Sequence, residues 1–201
     1  MPLLTMNRSK TGIILLAGGK SRRFGGDKAF FSFHGQPLIQ RMLNKVRSIS
    51  SDIIIVANWR IRPNFLSDPV YHDLIPKTGP LGGIYTGLVY SKCTRNLVLP
   101  CDMPGMSTEC LCYLLEKGAK ADIAVACYQN RVEPLCAVYS KNCIPVIRKQ
   151  LIQKNLQIQQ LFKSVNTKKI HITAQLPFYH RQLFFNLNSR EDLLLFELSN
   201  C

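Results

Sequence analysis

The sequence predicts an α/β fold with a mostly parallel central sheet, and three observations predict it. GIILLA from Gly12 is a continuous apolar run that ends in glycines, as a strand buried on both faces does. Apolar runs then alternate with segments of helical spacing. Several runs end in a carboxylate or a glycine, Asp73 and Asp102 among them, which is where ligands gather on a parallel sheet.

PLIQRMLNKVRSI from Pro37 places Leu38, Met42, Val46 and Ile49 at helical spacing with proline near its start, and DIIIVA from Asp52 reads as the second buried strand. Together with the first run these make one βαβ unit. PVYHD is a short strand ending at Asp73, the Pro/Gly loop through GPLGG leads to a helix over roughly residues 82 to 91, and NLVLPCD is a strand ending at Asp102. Ser107 is placed to cap the next helix, and ADIAVA is the strand after it. Beyond Glu133 the rhythm loosens: PLCAVY is strand-like, residues 142 to 152 and 156 to 162 are helical, FFNL is strand-like, and SREDLLLFEL is a capped terminal helix with acids in its first turn. No repeat or long linker divides the chain, so one domain is expected over residues 1 to 201, with 1 to 10 a flexible N-terminus.

Composition excludes several classes. With 46% apolar residues among 201, the chain can bury a core and is no disordered tail. No apolar run reaches 18 residues and no secretory signal pattern opens the sequence, so a soluble cytoplasmic protein without a membrane is expected. Eight cysteines lie scattered with no CxxC pair, which points to free thiols rather than a disulfide or zinc framework. The net charge of +14 favours anionic ligands. Much of it falls between Glu133 and Glu191, where no Asp or Glu occurs; a solvated basic face and a binding surface explain this stretch about equally well. No RNP-like aromatic motif, zinc finger or basic helical repeat is present, so nucleic acid is not the expected partner.

The glycine loop LLAGGKSRRFGGDKAF, residues 15 to 30, carries the chemistry. Gly19-Lys20-Ser21 spells the end of a P-loop, but the earlier glycine that pattern needs is replaced by Ile14. Neither Gly18-Gly19 nor Gly25-Gly26 gives the offsets of a dinucleotide fingerprint. What stands is a loop whose backbone amides cradle a triphosphate while Arg22, Arg23 and Lys28 neutralise it; a basic surface loop with turn glycines is the plain competing reading.

LAGGKSRRFGGDK resembles the LAGGxSxRMGxDK signature of molybdenum cofactor guanylyltransferases, the MobA-like nucleotidyltransferases, with Phe24 where methionine is usual. The resemblance recurs in HDLIPKTGPLGGIYTGL from His72, LPCDMP from Leu99, EPLCAVY from Glu133 and FFNLNSREDL from Phe184. It implies a three-layer Rossmann-like nucleotidyltransferase fold and transfer of GMP from GTP to molybdenum-bound molybdopterin, with release of pyrophosphate. It further implies Asp102 as the residue that binds magnesium and nucleotide, Lys28 and Arg23 on the triphosphate, and backbone contacts from Leu16, Ala17, Gly18 and Gly19. Asp73 matches an acidic nucleotide-contacting position, and a turn role for it is comparably good. Gly82, in the second glycine loop, is expected to shape the nucleotide pocket, and Asn188 stands where relatives handling other nucleotides often carry a second metal-binding aspartate. Some members have asparagine at the place held here by Val56, with Asn58 two residues on, which puts base recognition there in doubt. Molybdoenzymes or other cofactor-biosynthesis proteins are the expected protein partners, reached through the acidless basic region. The alternatives are a related enzyme using CTP or a sugar or alditol phosphate acceptor, and a non-catalytic nucleotide- or nucleic-acid-binding module.

Overall fold

In β1 (Thr11–Leu16) successive side chains part to opposite faces of the sheet: Ile13 and Leu15 enter one apolar cluster, Ile14 and Leu16 the other. The computed structural model describes residues 11–18, 27–59 and 62–198. Around β1 a seven-stranded sheet assembles from β4 (Ile53–Val56), β5 (Val70–Tyr71), β6 (Arg95–Pro100), β7 (Ile123–Tyr128), β8 (Arg131–Ser140) and β9 (Thr167–Ile172), in the order β5-β4-β1-β6-β8-β7-β9. Only β8 runs against its neighbours; every other pairing is parallel. The two-residue strands β2 (Ser32–Phe33) and β3 (Gln36–Pro37) form a separate hairpin.

Helices cover both faces. α1 (Leu38–Val46) and α3 (Thr108–Lys117) bury Ile39, Met42, Leu43, Leu111 and Leu114 against Ile13, Leu15, Ile55, Leu97 and Leu99. On the other face, α2 (Gly79–Tyr90), α4 (Ile144–Ile152) and the single turn α5 (Ile158–Leu161) bury Leu81, Ile84, Leu88, Ile147 and Leu161 against Ile14, Val56, Val98 and Val125. Gly87 lets α2 lie close to β1, since a Cβ there would stand 2.4 Å from Ile14 Cγ2.

Most elements stand where the sequence reading puts them. Ser107 caps α3, its hydroxyl accepting from the Cys110 amide at 3.2 Å. α2 begins at Gly79, earlier than the expected residue 82, because Gly79 takes φ +61° at the turn and Pro80 presets the first helical turn. One expectation fails, and one strand was not foreseen. FFNL is no strand: Phe184 joins the large cluster under the sheet, Leu187 joins a small one with Phe33, Leu38 and Phe196, and the segment is a connection. The strand beyond β7 is instead TKKIHI, β9, which buries Ile170 and Ile172 and exposes Lys168, Lys169 and His171. The terminal helix α6 (Arg190–Leu198) is capped as expected, with the Asp192 amide donating to Ser189 Oγ at 3.2 Å and Asp192 Oδ2 accepting from the Ser189 amide at 2.9 Å.

Candidate active site

β1 is followed in sequence by β4 on one side of it and later by β6 on the other, so the chain direction across the sheet reverses at β1 and leaves a crevice at the strand C-termini. A cavity of about 950 Å³ occupies it. The backbone ladder continues to its rim: the Ala17 amide donates to Val56 O at 3.0 Å, Cys101 N to Leu16 O at 3.2 Å and Ala57 N to Tyr71 O at 3.0 Å. Leu16, Ala17 and Gly18 after β1, Val56 to Trp59 after β4, Asp73 after β5 and Pro100 to Asp102 after β6 thus share one edge and all line the cavity.

Lys28 reaches the same edge from the far end of the glycine loop. Asp27 caps the 3-10 turn Lys28–Phe30, its Oδ1 accepting from the Ala29 amide at 3.0 Å, and Phe30 anchors the turn on Trp59 with ring centroids 4.7 Å apart. The Lys28 ammonium pairs with Asp102 Oδ2 and donates to Asn188 Oδ1 at 2.9 Å. Lys28 and Asn188 are 160 positions apart in sequence, and the Asn188 segment is held beside Asp102 by backbone: the Leu187 amide donates to Asp102 O at 2.9 Å. The Asp102 loop is held on its other side by Lys45 of α1, whose ammonium donates to Pro104 O and Met106 O, both at 2.6 Å. Burial pushes Lys45 down to about 8, with the neighbouring Arg41 charge adding to the effect and Glu109 opposing it.

At the opposite end of the cavity, Asn58 and Asp73 bind each other reciprocally: Asn58 Nδ2 donates to Asp73 Oδ2 at 2.8 Å, and the Asp73 amide donates to Asn58 Oδ1 at 3.1 Å. Val56 is buried in the sheet and turns only an apolar side chain to the cavity, so the polar group at this strand end comes from Asn58 two residues on.

The structure therefore brings Leu16, Ala17, Gly18, Lys28, Asp73, Asp102 and Asn188 together. Gly19 and Arg23 lie outside the described residues, as does the N-terminus 1–10. Gly82 is not on the cavity: a Cβ there would fall 1.8 Å from Thr78 Oγ1, so it faces the turn that starts α2, while Gly79, Pro80 and Gly83 line the cavity. Lys168 is not on it either, since its ammonium donates to Lys117 O at 2.9 Å at the C-terminus of α3. Sequence reasoning missed Trp59, Lys77 and Leu135. Leu135 arrives through a bulge: β8 pairs Ala137 with Val125 but Glu133 with Ala126, and the intervening residues leave the ladder.

The donor set suits magnesium. Asp102 Oδ1 is buried with no hydrogen-bond partner, Asn188 supplies a neutral oxygen beside it, and no group of three or more His, Cys, Asp or Glu side chains gathers among the described residues. One carboxylate completed by water and phosphate oxygens is how magnesium is commonly held, whereas zinc needs a denser protein cage.

A crevice at the switch point of a parallel sheet, lined by Gly18 and Lys28 and by the strand-end carboxylate of Asp102, defines a nucleotide-binding α/β enzyme. A family model described as the MobA-like NTP transferase domain matches residues 13–169, and the chain belongs to that family of nucleotidyltransferases. A molybdenum cofactor guanylyltransferase of Desulfosudis oleivorans is 34% identical over 188 residues, covering 91% of this chain and 92% of its own. A protein of Carboxydothermus hydrogenoformans described as a probable molybdenum cofactor guanylyltransferase is 33% identical over 182 residues, covering 90% and 91%. Among solved structures, a protein of Aquifex aeolicus superposes with a TM-score of 0.76 at 30% identity over 91% of this chain and 96% of that one. The molybdopterin-guanine dinucleotide biosynthesis protein A of Archaeoglobus fulgidus superposes with a TM-score of 0.79 at 22% identity, covering 94% and 100%, which supports the fold.

Proposed function

We propose that this protein transfers GMP from GTP to the phosphate of molybdenum-bound molybdopterin and releases pyrophosphate, a single domain in the cytoplasm carrying the whole reaction. The observation that carries the reading is the cavity itself, with the Lys28–Asp102–Asn188 cluster at one end and the Asn58–Asp73 pair at the other. The relatives named as molybdenum cofactor guanylyltransferases supply the substrates.

An oxygen of the acceptor phosphate attacks the α-phosphorus, a new P–O bond forms, and the bond to the bridging oxygen of the leaving pyrophosphate breaks. No protein nucleophile takes part; the chain positions two phosphates and offsets their charge. Leu16, Ala17 and Gly18 bring backbone against base and ribose, and the Asn58–Asp73 pair borders the base. Lys28 and Arg23 are assigned to the triphosphate. Asp102, with Asn188, would hold magnesium, which would supply positive charge against the negative charge developing on the departing pyrophosphate.

Pyrophosphate release measured with each of the four NTPs, with and without molybdopterin, tests the proposal. GTP with acceptor and magnesium is expected to turn over. Preference for CTP, or turnover with a sugar phosphate in place of molybdopterin, would reassign the substrates, and inactivity with all four would remove the proposal.

A further inference from the structure

We propose that the Lys28 ammonium is the resident cation of the Asp102–Asn188 oxygen pair, and that metal enters this pair only as the triphosphate draws Lys28 away. The inference rests on the assignment of Asp102 as the metal-holding residue. Lys28 holds two of the three side-chain oxygens at this place, pairing with Asp102 Oδ2 and donating to Asn188 Oδ1 at 2.9 Å, and leaves only Asp102 Oδ1 without a partner. The Lys28–Asp102 ion pair is sheltered, its two side chains being 14% and 18% exposed, so that attraction is little screened by water, whereas the Asn188 bond lies at the exposed side.

The backbones that carry the two oxygens are held, and the lysine is the more movable partner. The Asp102 carbonyl accepts from the Leu187 amide at 2.9 Å, and the Asn188 amide donates to Asp192 Oδ2 at 2.6 Å, so both oxygen-bearing residues are tied by backbone to the cap of α6. Lys28 projects on a flexible four-carbon stem from a short 3-10 turn. A divalent ion arriving alone would meet an ammonium already on its oxygens, and the two positive charges repel. A triphosphate offers Lys28 new anionic oxygens, so its arrival frees the pair. Metal and nucleotide must then raise each other's affinity by the same factor.

Manganese binding, read by the electron paramagnetic resonance of the free ion, tests this without turnover. In the absence of nucleotide, Lys28→Met is expected to bind manganese at least about tenfold more tightly than the wild type, whereas Lys77→Met, which removes a cavity-lining cation off the oxygen pair, changes it less than about threefold. Circular dichroism and thermal melts establish that each variant folds, and Lys28→Gln replaces Lys28→Met should the latter not. Equal affinity of wild type and the Lys28 variant, or an equal gain in the Lys77 variant, overturns the proposal. With a GTP analogue carrying a methylene bridge between α- and β-phosphorus, the wild type is expected to gain manganese affinity at least about tenfold. Asp102→Asn in this loaded state separates the failures. If it leaves manganese affinity unchanged, the metal assignment itself falls; if it abolishes binding while Lys28→Met gives no gain without nucleotide, only the exchange falls.

Discussion

Asn58 and Asp73, at the ends of neighbouring strands, exchange two hydrogen bonds, side-chain amide to carboxylate at 2.8 Å and backbone amide to side-chain oxygen at 3.1 Å. Each holds the other at the rim of the cavity, and each retains lone pairs or N–H groups for a ligand. Asn58→Ala removes both bonds. At roughly 0.5–1.5 kcal/mol per bond, the expected result is a rise in nucleotide KM of about tenfold or somewhat more, with kcat changed less than about threefold. Steady-state kinetics separate the two constants; an unchanged KM would remove Asn58 from the nucleotide site.

Asp102→Asn keeps the size of the side chain and removes its charge beside Lys28. The loop is held by backbone bonds from Leu187 and by Lys45, neither of which involves the carboxylate, so the fold should persist. Pyrophosphate release is expected to fall by about 10² to 10⁴-fold, the usual scale for removing a charge that acts in the transition state, while the melting temperature moves by only a few degrees. Activity within threefold of wild type would sink the role given to Asp102.

Much of the fold was legible because the buried strands of a parallel sheet are nearly all apolar. GIILLA, DIIIVA and NLVLPCD could hardly be misread; the ends of the first and last located Leu16 and Asp102, and the short run PVYHD located Asp73. What stayed hidden depended on partners distant in sequence. TKKIHI alternates only over its last four residues, and its lysines masked a strand whose buried Ile170 and Ile172 need β7 as a neighbour. FFNL carried strand-like residues, but its two apolar faces belong to different clusters. Leu135 reaches the cavity only through the bulge in β8, and a bulge leaves no periodic signal. Asn58 was visible as a residue, but its reciprocal bonds to Asp73, on a different strand end, were not.

Gly87→Ala probes the packing that places β1. The added methyl would stand 2.4, 2.8 and 2.9 Å from three carbons of Ile14, a fully buried residue of the central strand. Relief requires α2 to back away or Ile14 to leave its rotamer, at a cost of about 1–3 kcal/mol that exceeds the helix-propensity gain of about 1 kcal/mol. The melting temperature should drop by about 2–8 °C. A neutral or stabilising effect would show that the helix and strand are less closely packed.

Trp59 is the sole tryptophan of the chain, it lines the cavity, and its indole N–H is buried without a hydrogen-bond partner. Its emission should therefore change saturably as nucleotide is added. The titration midpoint in Asn58→Ala is expected to shift about tenfold, matching the KM effect, since both measure the same lost bonds. Emission insensitive to nucleotide would mean that the ligand stops short of the Phe30–Trp59 wall.

Lys45 makes a pH-dependent prediction whose sign follows from its environment. Burial lowers it from the ordinary 10.5 to about 8, so between those values the unfolded chain keeps a proton that the folded chain has released. Stability contributed by Lys45 then rises as pH climbs from about 8 towards 10.5, and is lost again as pH falls through 8. The neutral amine still has N–H groups for Pro104 O and Met106 O, so the clamp on the Asp102 loop survives deprotonation. Lys45→Met leaves those two carbonyls without their donor, and should destabilise the protein by about 1–3 kcal/mol near neutrality. The gap between wild type and variant should widen above pH 8. Burial also pushes the Cys110 thiol up to about 12, which works against stability at high pH, but that contribution is common to both proteins and cancels in the difference. Urea midpoints of the pair on either side of pH 8 measure the gap directly; a gap that stays constant would mean that Lys45 titrates as an ordinary surface lysine.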